Sequence, residues 1–384
     1  MEVQVLSSAP AFLLDPLSDP DRSPAKAGEF PPLRIGTLVL EVPVVLAPMA
    51  GVTNPPYRAL CRSFGAGLYV SEMISARGVL ENNQKTLHLA SFFPEERPKS
   101  LQLFAKDPQV LEKAARVLEG QGIEHLDLNL GCPVRKLTAS GGGSALPYKQ
   151  GRLRRLLAAF RRGAPNIPLT IKCRLGIDEE HMTWKETGHI AQEEGMDAIA
   201  VHGRTAAQLY DGEADWEPIA ELSATLKIPV LGNGDLFEAS DALFRMRQTG
   251  CAGVVIGRGC LGRPWLFREL EELFRGQPSS PPPNFGEIKL ILRRHGELLL
   301  RFFGPELGAR HLRKFASWYT KGFPGTSRIR DRLVRIRSLD ECLALMDEIP
   351  DDSPFPQKAV RAKRCKKGGR QKVALPPGWL DSRV

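Results

Sequence analysis

The 384-residue chain is predicted to be an α/β protein, a closed (β/α)8 TIM barrel followed by a small C-terminal all-helical domain. Three observations predict it. Eight short runs rich in Val, Ile and Leu recur between Leu33 and Arg275, each closed by a Gly or polar turn. Amphipathic stretches of helical spacing separate most of them, and strands alternating with helices imply a parallel sheet. The span of about 240 residues suits eight such units in one barrel. An open doubly wound sheet is the alternative that the same alternation allows.

The predicted strands are Val44–Met49, Leu68–Met73, Ser100–Ala105, His125–Gly131, Pro168–Arg174, Ala198–Gly203, Pro229–Gly234 and Gly253–Arg258. Between the third and fourth, "DPQVLEKAARVLEGQG" reads as a helix. Asp107 suits the N-cap, and Pro108 the first helical position, where an N–H would go unpaired. Val110, Leu111, Ala114, Val117 and Leu118 share one face, and Gly120 and Gly122 supply a stop. "GRLRRLLAAFRRGA" repeats the logic with a basic outer face. "GQPSSPPPNF" is a linker, and beyond it only helical patterning remains, with Ile288, Ile291 and Leu292 on one face. Ser338 and Glu341 stand at capping-box spacing. The expected organisation is a disordered extension over 1–32, the barrel over 33–275, the linker over 276–286, the helical domain over 287–350 and a basic disordered tail over 351–384.

Composition narrows the function classes. An apolar fraction of 42% and a charged fraction of 25% are ordinary for a globular protein, but the net charge of +9 favours a polyanionic partner. Seven cysteines, an odd number with no C-x-x-C pair, support neither a disulfide framework nor a zinc ribbon. Reduced thiols, no metal and a cytoplasmic location are expected. No apolar run reaches the roughly 18 residues of a membrane span. The first thirty residues lack a basic start before an apolar core and carry Glu2, Asp15, Asp19 and Asp21, so they resemble neither a secretory signal nor a transit peptide.

Chemistry in such barrels sits at the C-terminal ends of the strands. Those ends carry Pro48, Met49 and Ala50; Gln102; Asn129 and Cys132; Lys172 and Arg174; His202 and Arg204; Asn233, Gly234 and Asp235; and Gly257 and Arg258. "GRGCLG" matches a dinucleotide fingerprint, but it follows the eighth strand and precedes a linker, whereas the fingerprint belongs to a first βαβ unit. A phosphate cradle at a helix start, with Arg258 as clamp, is the better reading; a plain tight turn is the bland one. A buried Lys172 needs an anionic or electron-rich partner. Cys132 lies in a Gly-Cys-Pro turn that exposes the thiol, where it could act as nucleophile, ligand or acid. A small buried apolar residue is its bland alternative.

Eight segments in order, "APMAGVTNPPYRALCRSFGAG", "SEM", "DLNLGCP", "IKCRLG", "VHGRT", "GNGD", "IGRGCLGRPWLF" and "RKFASWYTKGFPG", resemble the tRNA-dihydrouridine synthase family, nearest its bacterial B-like branch. The match runs from about Leu33 to Ile349. The resemblance implies a flavoenzyme of FMN that reduces the C5–C6 double bond of selected uridines in tRNA, with NADPH as electron donor. By residue match it implies an FMN site of Pro48, Met49, Ala50, Gln102, Lys172, His202, Asn233, Gly234, Asp235, Gly257 and Arg258. Cys132 would be the proton donor, Asn129 would hold the uracil, and Arg174 is a second-rank candidate near the flavin.

For tRNA contact, Arg328, Arg330, Arg332, Arg335 and Arg337 crowd a ten-residue span, with Arg313, Lys314 and Lys321 nearby. Trp318 and Tyr319 are stacking or core aromatics, and Lys358 to Lys372 adds eight charges. The chain departs from the family at "TASGGGSAL", where Ala139 and Ser140 stand in place of a basic residue. A monomer is expected. A barrel oxidoreductase of a free pyrimidine or enone is the alternative; the basic helical domain speaks against it. A tRNA-binding protein without catalysis would not need Cys132, Lys172 and His202 together.

Overall fold

The computed structural model describes residues 20–362, 364 and 369–383. A hairpin of β1 (Leu33–Ile35) and β2 (Leu38–Leu40) precedes the barrel. The barrel strands are β3 (Val44–Leu46), β4 (Leu68–Tyr69), β5 (Ile74–Ser75), β6 (Ser100–Phe104), β7 (His125–Leu130), β8 (Leu169–Arg174), β9 (Ala198–His202), β10 (Val230–Asn233) and β11 (Gly253–Ile256). They pair in the order β4-β3-β11-β10-β9-β8-β7-β6-β5, every neighbour parallel. Val70, just past β4, bridges Ser100 at the start of β6 in parallel and so closes the ring. Each of the eight predicted strands therefore has a counterpart, but the second ends as β4 at Tyr69, and β5 lies just beyond its predicted end at Met73.

Strand periodicity sorts the side chains. Val45, Ala47, Leu68, Val70, Ala198, Ala200, Leu231 and Val255 pack with Leu33, Ile35 and Leu40 of the hairpin, while Val44, Leu46, Ile199, Val201, Val254 and Ile256 join the larger core under the helices. Successive strand residues face opposite ways, so both sets come from the same short runs. On β7 the split is between chemistry and packing. Leu126, Leu128 and Leu130 enter the main core. Between them His125 bonds Ser100 Oγ (2.7 Å) and Thr170 Oγ1 (3.0 Å), and Asp127 accepts from Thr170 Oγ1 (2.5 Å) and Gln102 Nε2 (2.6 Å). Burial draws His125 down to about 4, so it is neutral.

Helices wrap the ring. Pro108–Gly120 begins as its sequence predicts, with Asp107 accepting from the Gln109 and Val110 amides. Gln150–Gly163 packs beside it, burying Leu153, Leu156, Leu157 and Phe160. After the barrel come the helices Phe285–Phe303, Pro305–Tyr319, Thr326–Leu333 and Leu339–Met346. The first starts within the predicted linker, because Asn284 and Glu287 form a reciprocal capping box. Tyr57 joins the two parts. Its ring stacks on Phe315 at 5.4 Å and its hydroxyl donates to Cys260 O at 2.7 Å. Among the described residues no helix is long and apolar enough to cross a membrane.

The terminal segments differ from expectation. Within 20–32, Arg22 pairs with Asp241 at 2.7 Å, Arg247 binds Glu29 and the Asp21 and Ser23 carbonyls, and the Ala25 amide donates to Leu273 O. Within 351–383, Arg361 pairs with Glu238 and Asp241, and Trp379 is buried against Ala145, Tyr148 and Ile177. Both ends were expected to be disordered, the C-terminal one for its basic, apolar-poor composition. The described parts are instead held by ion pairs to barrel acids and by a few well-seated aromatics. Residues 1–19, 363, 365–368 and 384 lie outside the described residues, with Lys363, Lys366 and Lys367 of the basic tail among them.

Candidate active site

All the predicted site residues converge. Pro48, Met49, Ala50, Gln102, Asn129, Cys132, Lys172, His202, Asn233, Gly234, Asp235, Gly257 and Arg258 line one cleft of about 500 Å³ at the C-terminal end of the strands. Arg174 lines it too.

One wall is built by β7 and β8. Asn129 continues the inward column of His125 and Asp127 and is tied to it, its Nδ2 donating to Gln102 Oε1 at 2.9 Å. Its Oδ1 accepts from the amides of Cys132 (2.9 Å) and Gly131 (3.3 Å). That bond pair turns the chain at the strand end and leaves the thiol half-buried at the cleft. Burial pushes the Cys132 thiol up, opposed by a backbone bond and by Arg174, so it is protonated at neutral pH. Lys172 reaches inward and donates to Asn233 Oδ1 at 2.9 Å, and Asn233 Nδ2 donates to Val255 O at 2.7 Å. Burial, then the nearby Arg174, draws the Lys172 ammonium down to about 8.

The opposite side is cationic. Asp235, with φ of 52°, accepts from Arg204 (2.6 Å), Arg258 (3.0 Å) and the Ala214 amide (2.8 Å). A left-handed non-glycine residue is a strained choice, held here by three bonds. His202 lies buried beside these cations; burial first, then Arg174 and Lys172, keep it well below its ordinary value and neutral.

The "GRGCLG" glycines divide their work. A Cβ on Gly257 would face the cleft, 3.8 Å from Ala47 Cβ. One on Gly259 would strike the Leu236 carbonyl, and one on Gly262 would meet Trp318 at 2.6 Å. The expected helix start is displaced: Arg258–Cys260 is a single 3-10 turn and the helix begins at Leu266. Only the first glycine thus leaves room at the cleft; the others permit close packing.

The floor is a staple between domains. Val52 N and Thr53 N both donate to Met49 O (2.9 and 3.0 Å), and the Gly51 amide donates to Glu72 Oε2 at 2.7 Å. Lys314 of the helix Pro305–Tyr319 donates to the Gly51 carbonyl. Lys314 and Trp318 line the cleft, whereas Tyr319 is core. Sequence reasoning placed Lys314 with the tRNA-contact residues and missed Tyr210. The Arg258 guanidinium lies 4.3 Å from the Tyr210 ring centroid and Arg174 lies 5.6 Å from it. Tyr210 has no periodic signal; its one clue is its place in the loop after a barrel strand.

Arg328, Arg332, Arg335 and Arg337 are exposed on the helical domain, while Ile329 and Leu333 of the same turn are buried. Arg330 is half-buried, and Arg332 pairs with Glu348 at 2.6 Å.

The cleft suits a flat, anionic cofactor on three counts. Among the described residues Lys172 has only a neutral amide oxygen as hydrogen-bond partner and the buried Arg204 Nη1, beside the cleft, has none, and Gly257 leaves open the space a side chain would fill.

The barrel resembles histamine dehydrogenase from Rhizobium sp. 4-9, with a TM-score of 0.52 at 12% identity over 84% of this chain and 65% of that one, a likeness of fold. A probable tRNA-dihydrouridine synthase of Mycobacterium tuberculosis is 49% identical over 361 residues, 91% of this chain and 92% of the relative. The tRNA-dihydrouridine synthase B of Pseudomonas aeruginosa is 38% identical over 308 residues, 80% of this chain and 92% of the relative. The profile of the dihydrouridine synthase family matches residues 45–353, which takes in the whole ring from β3 onward and the helical domain, and the chain belongs to that family.

Proposed function

We propose that this enzyme is a tRNA-dihydrouridine synthase that reduces the C5–C6 double bond of selected uridines in tRNA. The observation that carries the reading is the meeting of a protonated thiol, Cys132, with Lys172 and neutral His202 in one cleft. Bound FMN, reduced by NADPH, would supply the hydride to C6 of the uracil.

The chain supplies the rest. Pro48, Met49, Ala50 and Gln102 would hold the ring system, and Gly257, Arg258, Asn233 and Gly234 its phosphate end. Asp235, held by Arg204, would orient Arg258 toward that end. Lys172 would offset negative charge on the reduced ring. Asn129 would orient the uracil and Cys132 would protonate C5, the acid that an added hydride requires. The target base must leave its stack to enter the cleft. The exposed arginines of the helical domain would bind tRNA phosphates. Six free thiols among the described residues suit a reducing compartment, and a cytoplasmic site of action follows from that reading.

The test is turnover by the FMN-loaded protein and its Cys132→Ala variant on unmodified tRNA. NADPH should reduce the flavin in both, while dihydrouridine formation falls about 10²-fold or more in the variant. Full activity of Cys132→Ala removes the thiol from the mechanism. A protein that takes up no flavin overturns the reading.

A further inference from the structure

Cys132 sits in a turn whose three consecutive carbonyls are taken by three distant parts of the chain. Gly131 O accepts from Arg174 Nε at 3.1 Å, Cys132 O from the Ser144 amide at 3.0 Å, and Pro133 O from Gln371 Nε2 at 3.2 Å. The first pin belongs to β8. The second belongs to the glycine-rich turn before Leu146. The third comes from the C-terminal segment, 238 residues further on.

That segment also secures the second pin. Trp379 Nε1 donates to Ala145 O at 3.1 Å, and the indole fills the space that a Cβ on Gly141 would occupy. Tyr148 Oη donates to Leu380 O (3.1 Å), Lys149 Nζ to Ser382 O (2.5 Å) and the Gln150 amide to Arg383 O (3.0 Å). Ion pairs of Arg370 with Glu179 and Arg383 with Glu186 fix its two ends to the barrel. Gln371 further spans two lips of the cleft. Its amide donates to Ala207 O at 2.9 Å and its side chain also approaches Ala206 O at 3.4 Å, in the loop whose Thr205 and Leu209 carbonyls bind Arg174.

A solubilising tail would need none of these bonds. We propose that segment 369–383 is a clasp that positions the Cys132 turn for proton delivery, with Gln371 as a positioning residue and Trp379 as its anchor. The proposal rests on Cys132 being the acid. The physical need is plain: the Gly-Cys-Pro turn has no ladder of its own, and misplacement of a reacting group by about 1 Å can cost on the order of 10² in rate. Since the clasp's direct bond to the turn is to the Pro133 carbonyl, and Gln371 does not line the cleft, it braces the turn without occupying the substrate's space.

The experiment compares the FMN-loaded full chain with Gln371→Glu, which keeps length and shape but turns a donor into a carboxylate facing carbonyl oxygens. Turnover on tRNA should fall about tenfold, with KM for tRNA and the rate of flavin reduction by NADPH unchanged. Alkylation of Cys132 by iodoacetamide, followed by mass spectrometry of its peptide, supplies a readout independent of turnover. Its pH midpoint should move down, because a released turn admits water to a thiol that burial now holds up. Trp379→Ala, and a chain ended after residue 368, should move it the same way and further. An unchanged midpoint in all three variants overturns the clasp, even if they melt earlier, since that is a structural role alone. A shifted midpoint in the variants, where the parent chain itself makes no dihydrouridine, upholds the hold of 369–383 on the turn but overturns the reading of Cys132 as the acid.

Discussion

Asn129 accepts the backbone N–H of Cys132 through Oδ1 at 2.9 Å while its Nδ2 is committed to Gln102 at 2.9 Å. The side chain proposed to hold the uracil therefore also shapes the turn that carries the proposed acid. Asn129→Ala should cut kcat/KM for tRNA about 10²-fold or more, beyond the value of one lost hydrogen bond. Flavin reduction by NADPH should stay within about twofold of the parent. Stopped-flow measurement of the two half-reactions separates these effects; an equal loss in both would place Asn129 in the cofactor site instead.

Lys172 costs the ligand-free fold stability. Its ammonium is drawn from the ordinary 10.5 to about 8, so between those values the unfolded chain holds the proton more tightly and stability rises with pH. Below that window the full cost is present. Lys172→Met should raise the Tm of flavin-free protein by a few degrees near neutral pH, with the gap closing toward pH 10.5. The same variant should bind FMN about tenfold more weakly. Melting curves across pH, with and without FMN, check both; a gap that ignores pH would show that the charge is not its source.

The proposed protonation of the pyrimidine by Cys132 needs it as a thiol. Burial raises that group, so single-turnover reduction of tRNA should hold to above the ordinary cysteine value of about 8.5 and fall only beyond it. No acid limb should appear near pH 6.5, because His202 is neutral well below that range. A pH–rate profile of the tRNA half-reaction, with pre-reduced enzyme, tests both limbs.

Arg58 and Glu96 form a buried pair, Nε to Oε1 at 2.5 Å and Nη2 to Oε2 at 3.1 Å, with both side chains at most 1% exposed. Arg58 Nη1 also donates to the Thr53 carbonyl, next to the cleft floor. Glu96→Ala strands that guanidinium and should cost about 3–5 kcal/mol. Because Thr53 in turn bonds Met49, FMN affinity should drop along with stability. Urea unfolding and FMN titration measure the pair; a stable variant with normal affinity would remove Arg58 from the floor.

If the helical domain meets tRNA, Arg328→Glu with Arg335→Glu should raise KM for tRNA and reduce its dependence on salt, since about one counterion is released per phosphate contact. The kcat at saturation and the flavin content should be unchanged. Kinetics at two ionic strengths decide the matter; an unaltered KM would move the RNA surface elsewhere.

Much of this molecule was legible in its residues, and the reasons differ by element. The ring could be read because each barrel strand is a short apolar run, buried on both faces and closed by a turn. The second strand reads too long, since the apolar pattern of "LYVSEM" runs on past the end of β4, and β5, only two residues long, offers no period to read. The convergence of the candidate residues could be read because a parallel barrel brings its strand ends together, so position along seven separate strands became position in one cleft. Tyr210 had no such rule to place it. The ends were misjudged for another reason: Arg22, Arg247, Arg361 and Trp379 act one at a time on distant partners, and single long-range contacts leave no periodic trace. The helix expected at the end of "GRGCLG" was displaced because Gly259 and Gly262 serve packing, a role that spacing alone does not separate from anion binding.

On β7, His125, Asp127 and Asn129 alternate with three leucines committed to the outer core. A slip of one residue would drive the leucines into the barrel and the polar column under the helices. The strand proposed to carry the chemistry is thereby also the gauge that sets its height along the barrel axis. Asn129 cannot drift toward or away from the cleft unless Asp127 and His125 abandon partners on β6 and β8, so the alignment of thiol and substrate is inherited from the hydrogen-bonded interior of the barrel.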